Sequence, residues 1–294
     1  MAEPTPDVPA PDAPALAAAG PEAPAPGTTV DAGGWTFGLH RRGDGAPLVL
    51  LHGLLTDSRV WQPLAAGLPG RTTLAFDAPG HGLAPARTAP HTLEEEVDRL
   101  ADAYRAVMGE RPAVWAGHSM GGMKTWRMAL RHPGLVAGLV QIDTRPDPEP
   151  DSTRAPFEAM VEAVKADGMT PDLAAMVARL NFRRSFLTTP AARHWVDHFT
   201  TLTGERIEHA CHAVYRRGDI TGQLPGLDVP VLVVHGADDV PIRLPVVRAT
   251  TALMPRARLT VLPATGHTPP VERPAELLAA VREFLTDPAV QERT

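Results

Sequence analysis

A serine between glycines, a histidine in a Gly-His turn far downstream and several aspartates behind apolar runs are the residues of this chain with chemistry to offer. The serine is Ser119, in Gly117-His118-Ser119-Met120-Gly121. A hydroxyl is a poor nucleophile at neutral pH and needs a base to take its proton, and imidazole titrates in the right range. The imidazole needs a carboxylate to fix its tautomer and stabilise its cation. His267 in Thr265-Gly266-His267 can be that base, and Asp239, the adjacent Asp238 or Asp143 can be that acid. With 12 histidines in the chain, scarcity selects none of them.

Position does the selecting, and it comes from the surrounding elements. Residues 113–116 suit a buried strand, and a helix is predicted from Met120 to about Arg131, so Ser119 falls where strand turns into helix. To expose its hydroxyl above a sheet, Ser119 must take a strained backbone in a very tight turn. Gly117 and Gly121 remove the Cβ atoms that would collide across that turn. The helix start aims N–H groups at the serine, so the Met120 N–H can receive charge on a substrate oxygen.

The remaining chain alternates apolar runs with amphipathic stretches. A hairpin with Gly33-Gly34 at its turn is expected over 30–41, then a strand buried on both faces over 47–51, ending at His52-Gly53-Leu54-Leu55. A helix near 60–66, a strand over 71–76, the turn Asp77-Ala78-Pro79-Gly80-His81-Gly82 and a helix over about 92–108 follow. After the serine strand and helix comes a strand over 136–143. Residues 144–227 then break the alternation with helical patterns over 156–166, 171–180, 190–203 and 204–216. A strand over 231–234, a helix near 244–254, a strand over 258–262 and a helix over 274–285 close the chain. The expected fold class is α/β: a mostly parallel central sheet with helices on both faces and ligand sites at the carboxyl ends of its strands. The domain reading is a Pro/Ala-rich disordered tail over 1–27, a core over 28–144 and 223–294, and a helical lid over 145–222.

Composition narrows the function classes. The formal net charge is -6 and the tail is acidic, which argues against nucleic acid as a partner. The tail has no basic start and no unbroken apolar run, so it does not read as a secretory signal, and no apolar run is long enough to span a bilayer. The single cysteine, Cys211, cannot form an internal disulfide and reads as a small packed thiol, a composition that fits a reducing cytoplasm; the expected partner is a small-molecule ester or lactone, with the chain a monomer or homodimer.

Motifs in order carry a resemblance to the α/β-hydrolase superfamily over roughly residues 30–285. The His52-Gly53 loop is similar to its oxyanion loop, Asp77-x-Pro79-Gly80-His81-Gly82 to the turn that follows, and Gly117-His118-Ser119-Met120-Gly121 to its nucleophile elbow. The run Val231-Leu232-Val233-Val234-His235-Gly236-Ala237-Asp238-Asp239 resembles the strand and loop carrying the acid. Thr265-Gly266-His267 followed by Val271-Glu272-Arg273-Pro274 resembles the loop and helix carrying the base. The resemblance implies Ser119 as nucleophile, His267 as base and Asp239 as acid, with Asp143 the runner-up and Asp238 a loop cap. It implies an oxyanion hole from the Leu54 and Met120 N–H groups, with no metal or organic cofactor needed. His52 and His81 read as turn-stabilising, with His52 also close enough to meet substrate; His118 and His235 are expected to pack or bond near the site.

Residues 143–144 and 161–169 are locally similar to 3-oxoadipate enol-lactone hydrolases and cofactor-free perhydrolases, with Asn181-Phe182 where those lids often carry Trp-Phe. The implied activity is hydrolysis of a small to medium, partly apolar carboxylic ester or lactone, and the same three residues also serve carbon–carbon, thioester or perhydrolysis chemistry, or a silent receptor. Phe157, Phe182 and Trp195 are candidates to line the pocket, and one lid arginine among Arg179, Arg183, Arg184, Arg193, Arg216 and Arg217 is a candidate for a substrate carboxylate. His194-Trp195-Val196-Asp197-His198 resembles an inverted zinc-protease motif with aspartate in place of glutamate and no third ligand, and reads as a lid helix.

Overall fold

The structure is a computed structural model that describes residues 27–294, so the expected tail lies outside the described residues apart from Gly27. Eight strands form one sheet: β1 (Thr28–Ala32), β2 (Trp35–Arg42), β3 (Ala46–Leu51), β4 (Arg71–Asp77), β5 (Ala113–His118), β6 (Val136–Ile142), β7 (Val231–Gly236) and β8 (Ala257–Leu262). Their order is β1-β2-β4-β3-β5-β6-β7-β8, with β2 antiparallel to both neighbours and every later pair parallel.

The helices are α1 (Gln62–Ala66), α2 (Leu93–Met108), α3 (Met120–Arg131), α4 (Asp151–Asp167), α5 (Pro171–Asn181), α6 (Pro190–Thr200), α7 (Gly204–Tyr215), α8 (Leu244–Ala252), α9 (Pro269–Glu272), α10 (Pro274–Leu285) and α11 (Pro288–Gln291). Thr92 caps α2 with a reciprocal bond to Glu95, two otherwise orphan N–H groups being satisfied at once. One boundary differs by five residues from the expectation. Helix α4 starts at Asp151, not at Pro156, which sits inside it. Proline suits the first turn of a helix, but here Asp151 takes the N-terminus, where its charge complements the helix dipole.

The central strands are continuous apolar runs because both faces of the sheet are covered. On β3, Leu48 and Leu50 enter one apolar layer while Val49 and Leu51 enter the other; on β5, Val114 and Ala116 oppose Ala113 and Trp115. This is the period of two expected of a strand buried twice over. The first layer runs without interruption from Leu50, Ala116 and Ile142 through Trp61 to Val161, Phe182, Trp195 and Phe199. Helices α4–α7, which leave the sheet after β6 and return at β7, are thereby joined to the sheet through the main core.

Among the described residues, the non-glycine residues with positive φ are Leu55, Ser119, Asp143 and Ala264. All four lie just beyond the carboxyl ends of parallel strands β3, β5, β6 and β8. Backbone strain is concentrated on one edge of the sheet, where function is usually built.

Candidate active site

Ser119 follows β5 directly and precedes α3, with φ 49° and ψ −113°. Its N–H donates to the Ile142 oxygen at 2.9 Å, and its own carbonyl accepts from Met123 N–H at 3.0 Å and from Thr144 Oγ1 at 2.8 Å. The end of β6 therefore holds the strained residue on both sides. A Cβ on Gly117 would fall 2.3 Å from the Gly121 backbone, a collision across the turn as expected. One on Gly121 would instead lie 2.1 Å from the Leu51 oxygen, so that glycine admits the end of β3.

The loops after β7 and β8 bring two further side chains to this hydroxyl. Ser119 Oγ lies 3.0 Å from His267 Nε2, and His267 Nδ1 lies 2.8 Å from Asp239 Oδ2. Asp239 Oδ1 accepts the Ile242 N–H at 2.9 Å, which fixes the carboxylate. Burial pushes Asp239 upward, but the charge and hydrogen bond of His267, with the Ile242 N–H, outweigh it and hold the group below its usual value. Asp238 is not a loop cap. Its side chain turns outward to Arg183 at 2.7 Å.

The loop after β3 passes beside the serine, since a Cβ on Gly53 would lie 3.4 Å from Ser119 Cβ. The Gly53 carbonyl takes three donors: His52 Nδ1 at 2.7 Å, Thr56 N–H at 3.3 Å and Thr56 Oγ1 at 2.9 Å. In a trans peptide the following N–H points opposite to the carbonyl, so these bonds orient the Leu54 N–H. Met120, the first residue of α3, presents its N–H at a helix start.

His52 differs from its expected contact with substrate. It is 1 % exposed, donates from Nδ1 to Gly53 and accepts the Ala78 N–H on Nε2 at 3.0 Å, so it braces the loop. His81 does the same from the next turn, accepting the Leu55 N–H at 3.2 Å, while Asp77 accepts the Ser58 and Leu83 N–H groups. Burial lowers His52 to about 4 and His81 to about 3, so both are neutral braces.

Of the aromatic candidates, Phe182 has its backbone against the loop of the base: a Cβ on Gly266 would meet the Phe182 carbonyl carbon at 3.0 Å. Phe157 stacks on Tyr215, and Trp195 packs against His194, His198, Phe199 and the Arg59 guanidinium, contacts that join helices to each other and to the β3 loop. Among the arginines, Arg216 pairs with Glu158, Arg217 with Glu149 and Arg183 with Asp238, while Arg179, Arg184 and Arg193 are exposed. His198 lies 2.8 Å from Arg59 Nη2 and 3.8 Å from Asp57, tying α6 to the β3 loop. Burial pushes the Cys211 thiol up to about 12, an inert packed group.

Two residues that shape the site had no functional reading in the sequence. Glu272 accepts the Gly266 and Thr268 N–H groups on either side of His267, and also the Arg183 N–H from the segment between α5 and α6. Thr268 Oγ1 donates to the Asn181 oxygen at 3.0 Å. Their signal was confined to the motif around Val271-Glu272-Arg273-Pro274, which says nothing about which amides a carboxylate faces.

Such a hydrogen-bonded serine, histidine and aspartate at one edge of a mostly parallel sheet is the arrangement of a hydrolytic enzyme class. The sequence profile of the alpha/beta hydrolase family matches residues 48–281. The chain belongs to the alpha/beta hydrolase family and is a hydrolase. It is 27 % identical over 264 residues to a 2-(acetamidomethylene)succinate hydrolase of Mesorhizobium japonicum, covering 87 % of this chain and 94 % of that one. It is 30 % identical over 252 residues to a pimeloyl-[acyl-carrier protein] methyl ester esterase of Aromatoleum aromaticum, covering 81 % and 97 %. In fold it is similar to an esterase of Thermogutta terrifontis, at TM-score 0.84 and 23 % identity over 92 % of this chain and all of that one. An enol-lactonase of Burkholderia xenovorans superposes at TM-score 0.81 and 23 % identity, covering 88 % of this chain and 100 % of that one. Among the described residues no helix is long and apolar enough to cross a membrane.

Proposed function

We propose that this protein is a serine hydrolase that opens a carboxylic ester or lactone of a small to medium, partly apolar molecule. One observation carries the reading: a single line of hydrogen bonds, Ser119 Oγ to His267 Nε2 at 3.0 Å and His267 Nδ1 to Asp239 Oδ2 at 2.8 Å. Ser119 Oγ attacks the carbonyl carbon as its proton passes to Nε2. The tetrahedral oxyanion accepts the Leu54 and Met120 N–H groups, each such donor being worth about 10²–10³ in rate. The imidazolium then protonates the departing oxygen, leaving an acyl-serine. Water, deprotonated by His267, attacks the acyl carbon and restores the serine.

Helices α4–α7 act in this reading as a lid over the site, with Phe182 at the acyl pocket. The names of the two relatives, one a methyl ester esterase, support cleavage at a carboxylic acid derivative. The test is labelling by a fluorophosphonate probe, followed by hydrolysis of p-nitrophenyl esters of increasing chain length and of a lactone set. Stoichiometric labelling and turnover, both lost in Ser119→Ala, are expected. An inert Ser119 in folded protein would overturn the reading in favour of a binder.

A further inference from the structure

Behind the histidine lies a second carboxyl group that the reaction above does not use. Asp143 directly follows β6 in a left-handed conformation, φ 43°, and is 1 % exposed. A carboxylate oxygen of Asp143, one of Asp239 and a ring nitrogen of His267 all lie within 4.8 Å of one another. Two carboxylates at that separation, both out of water, repel strongly, and one proton between them removes the repulsion.

The atoms say which group carries that proton. Asp239 is supplied with donors on both oxygens, Ile242 N–H on Oδ1 and His267 Nδ1 on Oδ2. Asp143 receives the Gly236 N–H at 2.9 Å on Oδ1, with His235 Nδ1 at 2.8 Å from the same oxygen. Its Oδ2 is buried, and among the described residues no N–H or O–H group donates to it. An oxygen buried without a donor is costly as half of a carboxylate but well placed as the hydroxyl of an acid.

We propose that Asp143 is a neutral carboxylic acid whose hydroxyl donates to Asp239, making it a positioning residue that sets the orientation and basicity of the acid holding His267. This rests on the function proposed above. Burial first, then the neighbouring Asp239 charge, push Asp143 well above its usual value, in agreement with the geometry. The other titratable groups facing this cluster are His235 from β7, His118 from the elbow and Glu272 from α9. His118 and His235 are lowered chiefly by burial. A donated bond draws charge from Asp239 and so weakens its hold on the imidazolium, which keeps His267 free to act as base at lower pH.

The experiment is the pH dependence of kcat/KM for ester hydrolysis in wild type, Asp143→Asn and Asp143→Ala, each first checked for fluorophosphonate labelling at Ser119. Asparagine keeps a donor and no charge, so its acidic limb should coincide with wild type. Alanine removes the donor, and its limb should move up by about half a pH unit or more. An ionised Asp143 would give the opposite sign: both variants would lose a negative charge near the imidazolium, and both limbs would move down. That result, or coincident limbs in all three proteins, overturns the proposal. Should the alanine variant not fold, thermal stability of Asp143→Asn decides. Folding of wild type must take up a proton at Asp143, so wild type should weaken relative to Asp143→Asn as the pH rises from 4 to 8, and a constant difference overturns the proposal. If wild type neither labels nor hydrolyses, the proposed function fails, whereas a downward limb in active enzyme defeats only the role of Asp143.

Discussion

His118 donates from Nε2 to the main-chain oxygen of His267 at 2.6 Å, so the residue before the nucleophile also holds the backbone of the base. Its Nδ1 faces Gly53, where a Cβ would lie 2.5 Å away, and burial followed by the nearby His267 lowers the ring to about 3. One neutral imidazole thus spaces the loops after β3, β5 and β8. Replacing it by alanine should lower kcat about 10²-fold, the penalty for a base displaced by about 1 Å. Fluorophosphonate labelling should slow in parallel, while the midpoint of thermal unfolding falls only modestly. Steady-state kinetics beside a melting curve checks this, and unchanged kcat would show that the loops hold themselves.

Acid should destabilise the fold earlier than its carboxylates alone require. His52, His81 and His118 stay neutral in the folded chain down to about 4, 3 and 3, against an ordinary 6.5. The unfolded chain protonates them as the pH drops through about 6.5, so it binds more protons and stability falls. Their contribution is complete above that pH and is lost progressively towards pH 4 and then 3, at about 1.4 kcal/mol per pH unit for each histidine. Melting temperatures from pH 7.5 to 4.5 should fall steeply in wild type and less so in His81→Gln. A flat profile would contradict the buried neutral rings.

Much of the frame was legible because local rules decide it. The period of two in Leu48-Val49-Leu50-Leu51 and the tight turn around Ser119 need only neighbouring residues, and both stand where the pattern placed them. The meeting of Ser119, His267 and Asp239 was legible through the order of motifs. What could not be read were contacts decided by tertiary packing. Asp238 and Asp239 are adjacent, yet one pairs with Arg183 in the helical insertion and the other with His267. The ring of His52 turns inward to Gly53 and Ala78. The start of α4 was misplaced because proline is a stronger local sign than the residues before it.

Beneath the site, Lys124 of α3 meets Glu96 of α2 at 2.6 Å, with both side chains almost fully buried. Lys124→Met would leave the Glu96 carboxylate without its cation, with the His91 ring 3.5 Å away, and should cost about 3–5 kcal/mol, seen by chemical denaturation. The double variant Lys124→Met, Glu96→Leu should recover most of that loss, because two apolar side chains need no counter-charge. A double variant as weak as the single one would show that the helices require the ion pair itself.

Glu272→Gln keeps the size of the side chain but puts an amide where a carboxyl group now receives three N–H groups. At least one of those amides loses its acceptor, and kcat should fall about tenfold or more through displacement of His267. Hydrogen exchange at Gly266, Thr268 and Arg183 should accelerate together. Faster exchange at Arg183 alone would mean that the loop of the base is supported by something else.

That three-way grip fastens the loop of His267 to the segment between α5 and α6. Moving residues 181–183 would break the Arg183 N–H bond to Glu272 and the Thr268 bond to the Asn181 oxygen, while Glu272 kept the Gly266 and Thr268 N–H groups on either side of His267. The helical segment and the loop of the base therefore share one carboxyl group as a common anchor, so a change in the packing of either is felt by the other.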